Sequence, residues 1–569
     1  MSCNKVSQLR WMIFDNPQLN VSLAQSINQK SNTLTLEGQT VVTGVDFWSN
    51  EEDTVDINKL FNRDFKLREP AIAVASLYCE KECVKSLGIH GEWFAKVFVN
   101  NEVVFDRLEK GSSLWSPEAD AFKAKFNLGE NIIVVYLEAG ANKYMNFTLV
   151  DFEETLRVPP LLSNPSSNSI TISAFLVRKY PLVLEYRKAG SNDEFSILRN
   201  SNDGCCPAVE FHKFQVENLC EDTNYEYYLT VPWNHGNVTN GPFYFKTFAN
   251  DMTNHKVVVI GDTQMPKPNL EKVLGNCVEN KRFDGADFIV HVGDARSLYQ
   301  NFVESYSEYL DVILPLTKSE IPLLQVRGNH EYYGIDTDGF STYLGKAYNG
   351  FRVGDVYYLA LNSGWDVDAS KLFVTQDAQE EYMLEQRKFI DNVVASKEWQ
   401  DAKYHILFCH ATCGYDFSSR MQRNMEILTN GLFVGDNPTQ RVDLFICGHT
   451  HWGARLDVKT QEYLAARQYK HYFKYIPEVN YMKRVPELQK GYVCPAYHHI
   501  PFPVLVVDGG YDTSVITINA TKLGLDVVHH DVNNEIIDHL TIDENNNFKV
   551  IETKMDTLDV IQKSLFEEQ

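Results

Sequence analysis

The sequence has no long apolar run. Its apolar stretches are as short as Val504–Val507, whereas a helix needs roughly 20 apolar residues to cross a bilayer. The first residues, Met1–Gln18, lack a basic segment followed by an apolar one, so we expect no signal peptide. Basic residues are also few: 53 Lys and Arg stand against 76 Asp and Glu, a net charge of −23. This charge disfavours nucleic acid and anionic membranes as partners, although bound metal ions would still admit a small anionic substrate.

The eleven cysteines lack the paired spacing of a metal-binding motif. Cys409 and Cys447 lie within apolar runs and are typical of buried thiols. Two sets would pair in an exported protein, namely Cys79 with Cys83 and Cys205–Cys206 with Cys220. Glycosylation sequons agree with secretion but recur by chance; they begin at Asn20, Asn146, Asn237 and Asn519. We expect a cytoplasmic protein, with a secreted or lumenal location left open.

At 569 residues the chain is too long for one core, so we expect three or four domains. Residues 1–155 predict an all-β domain, in which Trp93–Phe105 forms a hairpin that turns at Asn100–Asn101. Together with Leu128–Tyr136, this hairpin resembles the jelly-roll, galactose-binding-like modules found beside sugar-active enzymes. The resemblance implies a glycan-binding accessory domain. A packing and spacer domain is the equal alternative.

Residues 156–250 predict a second β-sandwich. Pro159–Pro160 breaks the preceding pattern and is typical of a stiff linker. Short strands at regular spacing then favour a sandwich of immunoglobulin or fibronectin type. Leu219–Leu229 is similar to the fibronectin type III consensus, and its tyrosines are expected to be structural anchors.

The pattern changes in residues 251–532, where apolar strands alternate with helix-length segments. This alternation predicts an α/β domain with helices covering a sheet. Residues 533–569 are expected to be a C-terminal tail. Its residues Leu558, Ile561 and Leu565 would share one face of a docking helix.

The stretch Leu324–Glu331 carries the first chemical signal. The apolar run Ile321–Val326 predicts a buried strand, and Gly328 lets the backbone turn where that strand ends. Asn329 and His330 would then lie at the carboxyl edge of the sheet, where open α/β folds bind their ligands. An amide oxygen that can bind a metal thus precedes an imidazole that can move a proton. Alone, the stretch would favour an ordinary polar turn at the end of a strand.

Other strand ends finish in similar residue types. In chain order the sets are Gly261-Asp262-Thr263-Gln264, Gly293-Asp294, Gly328-Asn329-His330-Glu331, His410, and Gly448-His449-Thr450-His451. Over residues 256–510 this series resembles, in order, the motifs of the calcineurin-like metallophosphoesterases. The resemblance implies a domain of two sheets flanked by helices, with two metal ions that would be Zn, Mn or Fe.

The resemblance also assigns the ligands. Asp294 would bridge the two ions, because two cations close together need a carboxylate between them. Asp262 and His451 would hold the first ion. Amide and imidazole donors would hold the second, namely Asn329, His410 and His449.

By the same resemblance, a hydroxide shared by the ions attacks phosphorus in line. His330 would stabilise the developing charge and protonate the leaving alkoxide. Glu331 would orient His330, with a solvated surface acid as the alternative. The phosphate would be contacted by Arg296, Asn329 and His330. For Arg296, a salt bridge to a surface acid is the equal alternative.

Two positions depart from the family pattern. The family usually has histidine two residues after the first aspartate, whereas this chain has Gln264, whose oxygen would bind the first metal or give way to a water. The domain order and Pro503–Gly510 resemble purple acid phosphatases. Those enzymes carry a tyrosine three residues after the bridging aspartate, where this chain has Ser297, and Tyr299 comes two residues too late. We therefore expect no tyrosinate-to-iron colour.

Together these features predict two β-sandwiches followed by an α/β metallophosphoesterase domain. The favoured function is hydrolysis of a small phosphomonoester, because the domain order resembles acid phosphatases. The alternatives are a phosphodiesterase of the same fold and a non-catalytic glycan-binding protein with a metal-binding scaffold. A nuclease suits the metal centre but not so acidic a chain.

Overall fold

The computed structural model describes residues 8–36, 40–48, 54–111, 120–151, 155–201, 204–232, 237–345, 347–366, 376–413, 419–451, 453–461, 463–466, 499–509 and 514–557. These residues form two antiparallel β-sandwiches followed by an α/β domain, as the sequence predicts. Each of the three parts has a hydrophobic core of its own.

The first sandwich packs a six-stranded sheet against a four-stranded one. In spatial order the larger sheet contains Val45–Trp48, Arg10–Asp15, Pro70–Cys79, Gly129–Glu138, Phe94–Val99 and Glu102–Asp106, and the smaller contains Ala121–Phe126, Cys83–Gly91, Asn146–Asp151 and Val55–Asp56. A two-stranded ribbon and two short helices flank them, namely Thr33–Thr35 with Val41–Thr43, Val21–Ser26 and Ile57–Phe61.

The expected hairpin is present in the larger sheet. Phe94–Val99 pairs with Glu102–Asp106, and the turn residues Asn100 and Asn101 have φ of 51° and 71°. Asparagine tolerates this left-handed conformation because its short polar side chain bonds locally.

The second sandwich packs a three-stranded sheet against a four-stranded one. The strands are Leu161–Ser163, Ile170–Tyr180 and Val209–Val216, and then Ser196–Arg199, Val183–Lys188, Asn224–Val231 and Val238–Lys246. Tyr225 anchors a corner of it, because its hydroxyl accepts a 2.9 Å bond from the backbone N–H of Cys220. The ring of Phe211 lies 4.8 Å from that of Tyr343, so this sandwich packs against the α/β domain.

In the α/β domain, a seven-stranded and an eight-stranded sheet stack face to face. In spatial order the first contains Leu323–Gln325, Phe288–His291, His255–Ile260, Val515–Thr521, Gly524–His530, Ile536–Asp543 and Phe548–Thr553. The second contains Asn349–Val353, Val356–Ala360, Tyr404–Phe408, Leu444–Cys447, Val504–Val506, Ala454–Leu456, Tyr463–Ala466 and Met555–Thr557. The strands expected from continuous apolar runs pair in parallel and are buried on both faces, which is why those runs do not alternate.

Helices cover the outer face of each sheet. Lys267–Glu279 and Phe302–Leu316 pack on the seven-stranded sheet, and Gln376–Ala395, Lys397–Gln400 and Ser419–Thr429 pack on the eight-stranded one. Two short turns follow the central motif, the 3₁₀ turn His330–Tyr332 and the π turn Phe340–Leu344.

The residues after 533 differ from the tail that the sequence predicts. Ile536–Asp543 and Phe548–Thr553 extend the seven-stranded sheet, and Met555–Thr557 closes the edge of the other. A buried ion pair joins the sheets there, since Arg455 Nε donates to Asp538 Oδ2 at 2.8 Å. The predicted docking face, Leu558, Ile561 and Leu565, lies outside the described residues.

The cysteine pairs considered for an exported protein do not form. Cys79 is disulfide-bonded, but Cys83 carries a thiol, as do Cys205, Cys206 and Cys220. Cys409 and Cys447 are buried thiols, as predicted. In the part of the chain that the structure describes, no helix is both long and apolar enough to cross a membrane.

Candidate metal centre

Polar residues that follow the parallel strands meet where the carboxyl ends of the two sheets come together. Two groups of carboxylates and imidazoles form there, and in each group the potential ligand atoms lie within 4.8 Å of one another. The first contains Asp262, Asp294 and His451, and the second contains Asp294, His410 and His449. Among the described residues, Asp294 belongs to both groups and is therefore shared by the two candidate metal positions.

The first group lies at the end of the strand His255–Ile260. Asp262 is fully buried, and its carboxylate accepts the backbone N–H of His449 at 3.0 Å. The Nε2 atom of His451 lies 3.2 Å from Asp262 Oδ1. The amide nitrogen of Gln264 lies 3.4 Å from the same Nε2 atom.

The second group brings two imidazoles and an amide together. Asn329 Oδ1 lies 2.8 Å from His410 Nε2 and 3.0 Å from His449 Nδ1. His410 donates through Nδ1 to the carbonyl oxygen of Val292 at 2.8 Å, which leaves Nε2 as the ligand atom. The amide of Asn329 is held by a 3.3 Å bond to the hydroxyl of Tyr333, so its oxygen faces the histidines.

Several of these residues adopt left-handed backbone conformations. The φ angles are 48° at Asp262, 58° at Asp294, 69° at His449 and 57° at His451. Such angles are unfavourable for residues other than glycine and cluster at functional sites. A glycine makes room for the bridging residue, because a Cβ atom on Gly328 would lie 2.2 Å from Asp294 Oδ1.

The charges at the centre depend on one another. Burial raises the pKa of Asp294, but the neighbouring His410, His330 and His449 outweigh it and hold that pKa well below its usual range. For His410, burial lowers the pKa, yet the carboxylates of Asp294, Asp262 and Glu331 raise it to about 10. Paired carboxylates and imidazoles therefore stabilise each other's charged forms, as cations would stabilise the carboxylates.

The residues present fit a pair of metal ions. Carboxylate, amide and imidazole atoms converge at a spacing that suits shared coordination. The strongest sign is Gln264 Oε1, which is buried and has no hydrogen-bond partner in the described structure. Leaving a buried oxygen without a partner costs about 1–3 kcal/mol, and a cation beside it would remove that cost.

Comparison with known proteins agrees with this geometry. Residues 255–453 match the family model of the calcineurin-like phosphoesterases. These residues form a calcineurin-like phosphoesterase domain. The chain accordingly contains a metal-dependent phosphoesterase domain. No curated protein sequence matches it.

Similar solved structures include those of PhoD, a purple acid phosphatase and GAP50. PhoD is 10% identical over 71% of this chain and 93% of its own, with a TM-score of 0.46. Purple acid phosphatase PPD1 from yellow lupin (Lupinus luteus) seeds is 13% identical over 84% of this chain and 93% of its own, with a TM-score of 0.45. GAP50, the anchor in the inner membrane complex of Plasmodium, is 10% identical over 55% of this chain and 94% of its own, with a TM-score of 0.32. At these TM-scores the likenesses carry no functional argument.

Within the phosphoesterase domain, Glu331 is placed differently from the expectation that it orients His330. It is fully buried, and its carboxylate accepts backbone N–H groups of Asp294, Ala295 and Gly328 at 3.0, 2.8 and 2.7 Å. The hydroxyl of Tyr299 donates to it at 2.9 Å. Glu331 therefore fixes the loop that carries Asp294, because four donors converge on one carboxylate.

The proton donor expected for the phosphoesterase reaction lies at the edge of the centre. His330 is a quarter exposed, and its Nε2 atom is 3.8 Å from Asp294 Oδ2. The ring of Tyr333 packs against it with centroids 4.5 Å apart. The third residue expected to contact phosphate, Arg296, binds Glu308 and the carbonyl oxygen of Met265. The salt bridge considered as its alternative is thus the arrangement present.

The sequence reasoning missed a buried chain of hydrogen bonds behind the phosphoesterase site. Gln325 Nε2 donates to His291 Nδ1 at 2.9 Å, so the other nitrogen, Nε2, carries the proton and donates to Thr263 Oγ1, also at 2.9 Å. Thr263 in turn lies 3.4 Å from the carbonyl oxygen of Ala295. These hydrogen bonds connect Thr263, beside Asp262, with Ala295, beside Asp294. A histidine within the apolar run Phe288–Val292 was the signal available.

Proposed function

We propose that the protein hydrolyses phosphoesters, with phosphomonoesters favoured, and that a pair of metal ions held by these residues provides the reaction centre. One observation carries the proposal: two ligand groups share Asp294, and His330 Nε2 lies 3.8 Å from that shared carboxylate. The ligand assignment is Asp262, Gln264, Asp294 and His451 for the first ion, and Asp294, Asn329, His410 and His449 for the second.

When bound, two ions at such positions supply a hydroxide from a shared water and neutralise the non-bridging phosphate oxygens. Asp294, which both ligand groups share, would offset the charge of both ions. His410, held by the Val292 carbonyl oxygen, presents Nε2 in a fixed direction. Glu331 keeps the Asp294 loop in its left-handed conformation through the backbone N–H groups that it accepts.

His330 protonates the departing alkoxide in this proposal. Its ring lies beside the shared carboxylate and is partly open to solvent, so a leaving group can reach it and its proton can be replaced. Asn329 and His330 contact the phosphate. Arg296 reaches it only if its bond to Glu308 breaks, so we give it a secondary role.

The test compares p-nitrophenyl phosphate with bis(p-nitrophenyl) phosphate, using full-length protein loaded with Zn²⁺ or Mn²⁺. Turnover of the monoester at the higher kcat/KM supports the favoured reaction, and the reverse ratio supports the phosphodiesterase alternative. Asp294→Asn is expected to abolish both activities. Asp64→Asn, the same change at an exposed residue of the first sandwich, is the matched control.

Absence of turnover by the metal-loaded wild type, or equal turnover by Asp294→Asn, would contradict the proposal. Glycan binding without turnover would instead favour the non-catalytic alternative. The glycan partner of the first sandwich and the cytoplasmic location stay predictions.

A further inference from the structure

The two groups of candidate ligands differ in their donor atoms. Around Asp262, the donors are the carboxylates of Asp262 and Asp294 and one imidazole, that of His451, and the side-chain amide of Gln264 approaches that imidazole to 3.4 Å through its nitrogen, so that the amide turned over would add a third oxygen. The other position has the Asp294 carboxylate with one amide and two imidazoles, namely Asn329, His410 and His449. The first position is therefore rich in oxygen, and the second is balanced between oxygen and nitrogen.

Gln264 causes this difference. Its Oε1 atom is buried without a hydrogen-bond partner in the described structure, and its Nε2 atom lies 3.4 Å from His451 Nε2. A half-turn about the last side-chain bond exchanges the oxygen with that nitrogen, so an oxygen can also be placed beside His451. The backbone of Gln264 is held as well, because the hydroxyl of Ser297 donates to its carbonyl oxygen at 3.4 Å.

The type of donor atom at a position determines which metal ion binds there most tightly. Imidazole suits Zn²⁺, whereas carboxylate and carbonyl oxygens suit harder ions such as Mn²⁺ and Mg²⁺. For any shared site Zn²⁺ binds more tightly than Mn²⁺, but replacing imidazole by an amide oxygen narrows that advantage. Zn²⁺ is therefore expected to enter the position of His410 and His449 first and to hold the other position less tightly.

We propose that the two metal positions are unequal, and that Gln264 makes the position around Asp262 and His451 selective for a hard ion. A Zn²⁺ ion fills the position of His410 and His449, and Mn²⁺ fills the oxygen-rich one. This inference rests on the proposed function, because it takes the same residues as ligands.

The experiment measures metal binding on full-length protein freed of metal by chelation. Titration calorimetry with Zn²⁺ is expected to give two resolved steps, the tighter at the position that offers two imidazoles. Protein given one equivalent of Zn²⁺ and excess Mn²⁺ is then examined by pulsed electron paramagnetic resonance. The Mn²⁺ signal should show coupling to one histidine nitrogen, from His451.

The variant Gln264→His adds the missing imidazole. It is expected to bring the second Zn²⁺ step to within about tenfold of the first and to give Mn²⁺ in that position a second coupled nitrogen. Gln264→Asn, which withdraws the oxygen without adding a nitrogen, should weaken the second step further. Gln18→His, at an exposed glutamine, is the matched control and should leave both steps unchanged.

The outcomes separate this inference from the proposed function. Two Zn²⁺ steps of equal affinity in the wild type would overturn the inequality, and unequal steps that Gln264→His does not change would overturn the role of Gln264. Either result would leave the phosphoesterase centre standing. Coupling of Mn²⁺ to two histidine nitrogens in the wild type would also overturn the proposal, because the position assigned to Mn²⁺ has one histidine. Failure of the wild type to bind any metal would count against the proposed centre itself.

Discussion

The Nδ1 atom of His330 lies 2.9 Å from the backbone carbonyl oxygen of Ser297. A carbonyl can only accept, so Nδ1 carries a hydrogen and Nε2 is the nitrogen that faces Asp294. The side chain of residue 297 does not take part in this bond. Residue 297 thus orients the His330 ring through its backbone.

The first prediction concerns proton donation by His330. His330→Ala should lower kcat by about 10²–10⁴-fold for an alkyl phosphate, because the alkoxide leaves with difficulty unless it is protonated. For p-nitrophenyl phosphate the loss should be much smaller, since that phenolate leaves readily without a proton. Steady-state kinetics on both substrates provide the measurement.

The matched control for this prediction is His539→Ala, at a partly exposed histidine that bonds to Asp526 in the seven-stranded sheet. It should not change the ratio of the two activities. An equal loss on both substrates in His330→Ala would show that His330 binds phosphate rather than donating a proton.

The second prediction concerns Glu331 as the anchor of the Asp294 loop. In Glu331→Gln one carboxylate oxygen becomes an NH₂ group, which cannot accept a hydrogen bond. The Tyr299 hydroxyl can rotate to accept, but the Ala295 N–H then loses its acceptor, at a cost of about 1–3 kcal/mol. We expect a lower unfolding midpoint and fewer bound metal ions by elemental analysis.

Tyr299→Phe is the milder companion variant, because it removes a donor and leaves the backbone N–H groups paired. It should retain bound metal, and neither it nor the wild type should show a visible charge-transfer band. Such a band lost on this substitution would mean that Tyr299 binds a metal, contrary to its bond with Glu331. Full metal retention by Glu331→Gln would contradict the anchoring role.

Much of this arrangement was predictable from the sequence, because strand and motif occur together. A continuous apolar run ending in glycine and a ligand residue indicates a parallel strand that delivers that residue to the sheet edge. Residues 255–453 form the domain that the motif series indicated. The order of polar residues along the chain was enough for these features.

The partners of Glu331, Arg296 and His291 were not predictable, because they depend on tertiary contacts. Glu331 follows His330 in sequence, yet the 3₁₀ turn at His330–Tyr332 directs the two side chains to different partners. Glu308, which binds Arg296, belongs to a helix whose position relative to the motif the sequence does not specify. Among the strands after residue 533, Met555–Thr557 was not predictable, because it pairs with the distant strand Tyr463–Ala466.

The third prediction tests the close packing around the bridging carboxylate. Gly328→Ala would place a Cβ atom 2.2 Å from Asp294 Oδ1 and 2.8 Å from Glu331 Oε2, so both carboxylates must move. We expect loss of metal binding and of turnover, measured by elemental analysis and by p-nitrophenyl phosphate hydrolysis. The matched control is Gly275→Ala, in the helix Lys267–Glu279 where a Cβ atom meets nothing within 4 Å. It should keep activity and stabilise the helix by up to about 1 kcal/mol.

The fourth prediction concerns pH and His255, which lies outside the metal centre. His255 is buried, and its Nε2 atom lies 2.6 Å from the hydroxyl of Tyr358. Burial lowers its pKa from 6.5 to about 4. Between these values the unfolded chain binds a proton that the folded chain does not, so this histidine makes stability fall as pH decreases from 6.5 to 4. The loss of folding stability that this histidine causes approaches about 3 kcal/mol at pH 4, because each pKa unit of the shift corresponds to about 1.4 kcal/mol.

Urea unfolding of metal-free protein at several pH values between 4 and 7 provides the measurement. His255→Gln keeps an amide nitrogen near the Tyr358 hydroxyl but does not titrate, so its unfolding midpoint should fall less steeply with decreasing pH than that of the wild type. His499→Gln, at an exposed histidine, controls for the substitution itself. Chelation is needed throughout, because metal binding would add its own pH dependence. Parallel midpoint curves for the wild type and His255→Gln would show that burial of His255 does not contribute to acid sensitivity.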